Sequence, residues 1–194
     1  MPGGASNTGA DWITKEFNED LSFLNEQAGQ LIPTGHIAWP LCQPGERFPF
    51  IAPQARGFIP PGLSVMERYA ANLEGVAYLE RYAYAVIRQL SGETIKAVYT
   101  AGGGSNSDVW LTIRSCVLNL PIYKMKHVTG AVGAAMLAAS KTHFTSILEA
   151  GRAMTQIEKE VRPVPDLVEK YAVYYNKFLR TLQEKGYIRE ENYA

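Results

Sequence analysis

Cysteine is scarce in this chain: Cys42 and Cys116 are its only two. That is too few for a disulfide framework and suits a reducing compartment, with both thiols read as core residues. An excess of one charge is also lacking, since nineteen Lys and Arg offset nineteen Asp and Glu. No global field therefore draws the protein onto nucleic acid or an anionic membrane, and any anion site must be local. No apolar run reaches the roughly 18 residues of a membrane span, and no basic segment leads into an apolar signal core. The chain is read as cytoplasmic. His36, His127 and His143 are scattered, with neither HExxH nor Cys/His spacing, so no metal ligand is assigned. No repeat or heptad array occurs.

Two nucleotide motifs are absent as well. A Walker A loop needs a Lys and a Ser or Thr after its last glycine, and none follows here. A dinucleotide fingerprint would need a third glycine where Ser107 stands, and an acidic residue where the next strand carries Lys124 and Lys126.

What is present is enough apolar side chain, 46% of 194 residues, to build one sizeable core. The most informative stretch is IKAVYTAGGGSNSDVW, residues 95–110. Ile95, Val98 and Tyr99 suit a strand, the triple glycine lets a ligand approach backbone, and Ser105, Asn106 or Ser107 caps the helix that follows. A helix N-terminus in that position favours an anion or a polar ring edge. The alternative is a turn that only lets strand and helix pack closely.

Around it the pattern alternates. Trp12, Ile13, Phe17, Leu21 and Leu24 predict one amphipathic helix ending before Gly29. Residues 37–39 predict a short strand, and 40–62, rich in Pro and Gly, cannot be regular structure. Ser64 and Glu67 form a capping box for a helix reaching about Leu90. Gly75 inside it marks either close packing or a tolerated defect. A helix over about 107–118 stops at Asn119, a strand covers 122–125, and small residues from Thr129 to Ala135 open another helix. Residues 144–159 predict a further helix, and Pro165 begins a last one that presents Leu167, Tyr171, Tyr174, Tyr175, Phe178 and Leu182. The polar tail from Tyr187 is expected to fray. The expectation is an α/β fold with a mixed sheet. Glu46, Arg47 and Arg56 either meet a phosphate or pin the long loop, and the second reading is favoured because charged loop residues commonly do so. The tyrosine-rich last helix is read as core, since no basic patch accompanies it.

With TAGGGSNSDVWLTIRSCVLNLPI, TGAVGAAMLAA, PLCQPGERFPFIAPQARG, LEGVA and the opening GGASNTG in this order, the chain resembles the C-terminal, nucleotide-binding domain of FGGY-type carbohydrate kinases. That resemblance implies a ribonuclease H-like, actin-like ATPase domain over residues 1–186, followed by a polar tail over 187–194. It implies ATP and Mg2+ as cofactors. Gly103, Gly104 and Ser107 would line the adenosine side of the site, Gly9 would lie near the phosphates, and the GAVGAA helix would pack behind the pocket. Thr112 and Cys116 depart from the Gln and Asp usual in the family. In such kinases the catalytic Asp, most sugar contacts and the first strands of this domain's sheet precede the GGASN stretch. The expected function is thus the ATP-binding half of a carbohydrate kinase, not competent alone and without a catalytic residue of its own, that meets its sugar through another domain. A non-catalytic interaction module with the same fold is the rival, and exposed interdomain surface makes a homo-oligomer an expected partner class.

Overall fold

The computed structural model describes residues 4–127 and 129–189. Where one N-terminal helix was expected there are two, α1 (Asp11–Glu16) and α2 (Leu21–Leu31). Phe17 turns extended and sends its ring edge-on against Trp12 and Tyr69. Asp20 then accepts from the backbone N–H groups of Ser22 and Phe23, so a fresh N-cap starts α2, which runs through Gly29.

The predicted strand at residues 37–39 is reduced to a single antiparallel bridge between Trp39 and Phe58, because Pro40 has no N–H with which to continue it. Residues 40–62 are irregular, as expected. α3 (Val65–Ser91) opens on the capping box of Ser64 and Glu67 and ends at Gly92 in the left-handed conformation. Gly75 on α3 decides how closely the irregular segment can approach, since a Cβ there would collide with the Ala38 carbonyl. Close packing, not a tolerated defect, is its role.

The sheet is mixed. β1 (Val98–Thr100) pairs parallel with β2 (Ile122–Met125), and β2 pairs antiparallel with β3 (Ile157–Val161), giving the order β1-β2-β3. Between β1 and β2 lie a 3-10 turn (Gly103–Asn106) and α4 (Asp108–Leu118), which ends at Asn119 with φ 52°. β3 was not expected. The helix predicted over 144–159 is only α6 (Ile147–Met154), and the IEKEV run leaves it to pair with β2, with Lys124 Nζ 2.8 Å from Glu158.

α4 sits between the sheet and the rest of the protein. One side meets Val98 and Ile122 through Leu111, and the other enters the main core with Trp12, Trp39, Tyr69, Tyr78 and Phe178. α7 (Pro165–Glu184) closes that core with Tyr171, Tyr175, Phe178 and Leu182. Beyond it, the Tyr187 hydroxyl accepts the Arg56 N–H at 3.1 Å, and Ile188 is buried. The last residues of the tail, 190–194, lie outside the described residues. α5 (Gly130–Thr142) packs against α6 and buries no residue.

Glu74 on α3 is fully buried. It accepts from the Thr34 N–H at 2.9 Å and the Tyr171 hydroxyl at 3.0 Å, and lies 2.5 Å from the Thr34 hydroxyl. Burial pushes its pKa up to about 7, with the Thr34 and Tyr171 hydrogen bonds pulling the other way. A carboxyl raised in the folded state adds stability below its ordinary pKa of 4.5 and loses it as pH climbs through about 7. Denaturant titrations at pH 4 and pH 8 should therefore show the wild type losing on the order of 3 kcal/mol relative to Glu74→Gln. Gly75→Ala should cost about 1–3 kcal/mol through overpacking despite the better helix former, measured by the same titrations.

Candidate functional site

A cavity of about 510 Å3 opens between the N-terminal loop, α3, the end of β1, the 3-10 turn and α4. Its volume falls in the range of roughly 300–1,000 Å3 usual for small-molecule clefts. The loop carrying Ser6, Thr8 and Gly9 lines it, and so does the turn with Gly104 and Ser105. The floor contains Trp110 and an ion pair in which Arg114 Nε and Nη2 each lie 2.7 Å from a Glu80 carboxylate oxygen, while Nη1 donates to the Thr100 hydroxyl at 2.8 Å.

The loop wall is held by Glu46, which is buried at 3% exposure. Its carboxylate accepts from the Ser6 hydroxyl at 2.8 Å, the Asn7 N–H at 2.7 Å, the Thr8 hydroxyl at 2.8 Å and the Arg47 N–H at 2.9 Å. Thr8 in turn accepts from Trp39 Nε1 at 2.8 Å, and Arg47 Nε donates to the Ala5 carbonyl at 2.8 Å. Glu46 and Arg47 thus pin the loop, as favoured from the sequence. Arg56 Nη1 lies 3.4 Å from its neighbour's carbonyl, that of Ala55.

The turn follows from its glycines. Gly102, at φ 91°, makes the turn that residues with a Cβ rarely make. Gly103 faces open space, with nothing within 4 Å of where a Cβ would sit. At Gly104 a Cβ would lie 2.6 Å from the Trp110 ring, so turn and ring are in close contact. Ser107 is the residue that caps α4, accepting the Trp110 N–H at 3.3 Å, and its hydroxyl donates to Asn25 Oδ1 at 2.6 Å.

Of the residues singled out from the sequence, Gly9 and Gly104 face the same cavity, Gly103 adjoins it, and Ser107 stands behind the turn against α2. The GAVGAA helix is not behind this cavity. α5 lines a second one of about 330 Å3 with Met125, His127 and Gln156, which meets the first at Ala101. Arg114, Glu80 and Trp110 were missed, and only their spacing on α3 and α4 could have signalled them. Burial raises the pKa of both Cys42 and Cys116, which removes any sign of an activated thiolate. Among the described residues no cluster of His, Cys, Asp and Glu could hold a metal ion, and no helix is long and apolar enough to cross a membrane.

Residues 4–142 match the family described as "FGGY family of carbohydrate kinases, C-terminal domain". This chain belongs to that family. The FGGY domain here is 31% identical over 147 residues to a glycerol kinase of Pseudomonas fluorescens, spanning 74% of this chain and 29% of the relative. It is 26% identical over 182 residues to a xylulose kinase of Bacillus subtilis, 90% of this chain and 36% of that one. The gluconate kinase structure from Lactobacillus acidophilus superimposes with a TM-score of 0.78 at 22% identity, over 92% of this chain and 38% of that one. Plasmodium falciparum glycerol kinase, solved with ADP, gives 0.70 at 19% identity over 90% and 36%. The fold is therefore the actin-like α/β fold of the FGGY kinases, and the chain spans about a third of the length of these relatives.

Glu46→Ala would take the acceptor from Ser6, Asn7, Thr8, Arg47 and Phe48 at once. An FGGY domain carrying it should lose about 2–4 kcal/mol of stability, and hydrogen exchange at the Asn7 and Arg47 amides should accelerate before exchange in α3 does.

Proposed function

We propose that this chain is the ATP-binding half of a carbohydrate kinase, which places a nucleotide where a sugar or polyol hydroxyl can take its terminal phosphoryl group. One observation carries the reading: in a member of the FGGY family, the Thr8–Gly9 loop and Gly104 line one cleft of about 510 Å3. Backbone without Cβ atoms in both segments suits close approach of phosphate and ribose. Gly103 and Gly104 would meet the adenosine through backbone and Gly9 the phosphates, while Ser107 would hold the turn from behind through Asn25 and the Trp110 N–H.

The cleft fits a nucleotide better than a bare metal ion. Glu80 is the carboxylate in its lining, and Arg114 already engages both of its oxygens. Mg2+ would arrive on the phosphate oxygens, where it supplies charge neutralisation. Phosphoryl transfer depends on positioning between closing parts, and nothing in this cleft offers a free base to a sugar hydroxyl. The sugar and the catalytic base would come from a further domain, in a cytoplasmic protein. Residues 1–186 would form the nucleotide-binding unit.

Calorimetric titration of Mg-ADP and Mg-ATP into the folded chain tests this. The expected affinity is on the order of 0.1–1 mM, about 4–5.5 kcal/mol, because a further domain would be needed to close over the phosphates. Gly103→Arg should abolish the heat while leaving the fold intact, since its side chain enters open space; Gly104 is unsuitable, because Trp110 blocks any Cβ. A folded wild type that binds neither nucleotide would instead favour an interaction module built on the same fold.

A further inference from the structure

The glycine turn has little packing of its own. Among the described residues, nothing beyond the chain neighbours lies within 4 Å of where a Cβ of Gly102 or Gly103 would sit, whereas Gly104 rests on the ring of Trp110. Inside the turn, the Ser105 N–H and hydroxyl both donate to the Gly102 carbonyl, at 3.1 and 2.7 Å. Glycine loses more backbone freedom on ordering than any other residue, so a triple glycine makes a poor binding surface unless something outside it fixes its path.

Both ends of the turn are held by side chains from other elements. At its entry stands Thr100, the last residue of β1, buried at 7% exposure. The Thr100 hydroxyl accepts Arg114 Nη1 at 2.8 Å, while Nε and Nη2 of the same guanidinium close on Glu80 of α3 at 2.7 Å each. A planar fork committed to a carboxylate on one side has little freedom left on the other. Thr100 is therefore kept in a fixed relation to α3 and α4. Those helices already share the main core through Leu73, Ala77, Ile113 and Val117, so the arm to Thr100 serves the strand end and not the helix packing. At the exit, the Ser107 hydroxyl donates to Asn25 Oδ1 of α2 at 2.6 Å, and the Tyr69 hydroxyl of α3 donates to the same oxygen at 3.0 Å.

We propose that Arg114 and Asn25 are positioning residues for nucleotide binding, which fix the two ends of the glycine turn and so hold the backbone of Gly103 and Gly104 where a nucleotide meets it. They act through Thr100 and Ser107, not through a contact of their own with the ligand. The nucleotide then meets a turn that is already ordered, and the cost of ordering three glycines falls on folding instead of on binding. This inference rests on the nucleotide reading of the cleft and supplies the source of its preorganisation.

The test is a titration of Mg-ADP into the 15N-labelled full chain, with Kd read from amide shifts and the melting temperature measured beside it. Thr100→Val removes the hydroxyl, keeps the side-chain shape and leaves the Arg114–Glu80 pair intact; Thr100→Ser puts the hydroxyl back. Asn25→Ala releases Ser107 at the other end. Gly75→Ala, which weakens the fold far from the turn, is the control for stability alone. Thr100→Val and Asn25→Ala should each raise Kd about three- to tenfold, and in the ligand-free protein they should lower the heteronuclear NOE of the Gly103 and Gly104 amides but not that of Val98. Thr100→Ser should return both readouts to wild type, and Gly75→Ala should lower the melting temperature with Kd unchanged. Wild-type Kd in both Thr100→Val and Asn25→Ala, or a loss that Gly75→Ala reproduces, would overturn the proposal and leave the nucleotide reading standing. No binding by folded wild type would overturn both.

Discussion

The structure depends on two buried carboxylates that fasten irregular chain to regular chain. Between α2 and α3 about thirty residues have almost no secondary structure, yet they are packed against the core, where unpaired backbone groups are costly. Glu74 secures the start of that segment by holding Thr34 against α3 and Tyr171 of α7. Glu46 secures its middle by gathering Ser6, Asn7, Thr8 and Arg47. Gly75 then lets the Ala38 backbone lie directly on α3. The wall of the cleft is thus a consequence of loop fastening: without Glu46, the loop would keep only the Trp39 bond to Thr8 and the Asn7 bond to the Gly45 carbonyl, besides the Arg47 bond to Ala5.

The core distributes this stability unevenly. Around α3, α4 and α7 it is dense with rings, including Trp12 against Phe17, Tyr69 and Trp110, and Tyr78 against Tyr171 and Phe178. α5 and α6 have no such support, with Leu137, Ile147 and Leu148 more than half exposed. A rigid body that carries the glycine turn, beside a lightly held helical pair, suits a domain that keeps one wall of a site fixed while a neighbouring part moves. The Arg114–Glu80 pair links α4 to α3 in the cleft lining and keeps the turn and α3 in one frame.

Much of this was legible in the sequence, and the reasons for the failures are physical. The capping box of α3, the stop at Asn119, β2 and the proline start of α7 were all readable because each is fixed by local chemistry. The mixed sheet and the family followed from motifs in order. The failures are tertiary. β3 was hidden because Ile157 and Val161 are spaced like a helix face, and only pairing with Met125 and Ile122 makes them a strand. The break at Phe17 was hidden because its ring fits the apolar periodicity of a continuous helix while actually leaving it. At the cleft, the glycines announced themselves, whereas nothing in the sequence singled out Arg114 and Glu80, 34 residues apart, which only the packing of α3 on α4 brings together.

The most direct test of the account is amide mapping of the 15N-labelled chain by NMR as Mg-ADP is added. If the cleft is the nucleotide site, the amides of Gly9, Gly103 and Gly104 shift together along one binding curve, while those of Gly57, Gly151 and Gly186 stay in place. Shifts confined to Gly130 and Gly133 beside the smaller cavity, or none at saturating nucleotide, would contradict it.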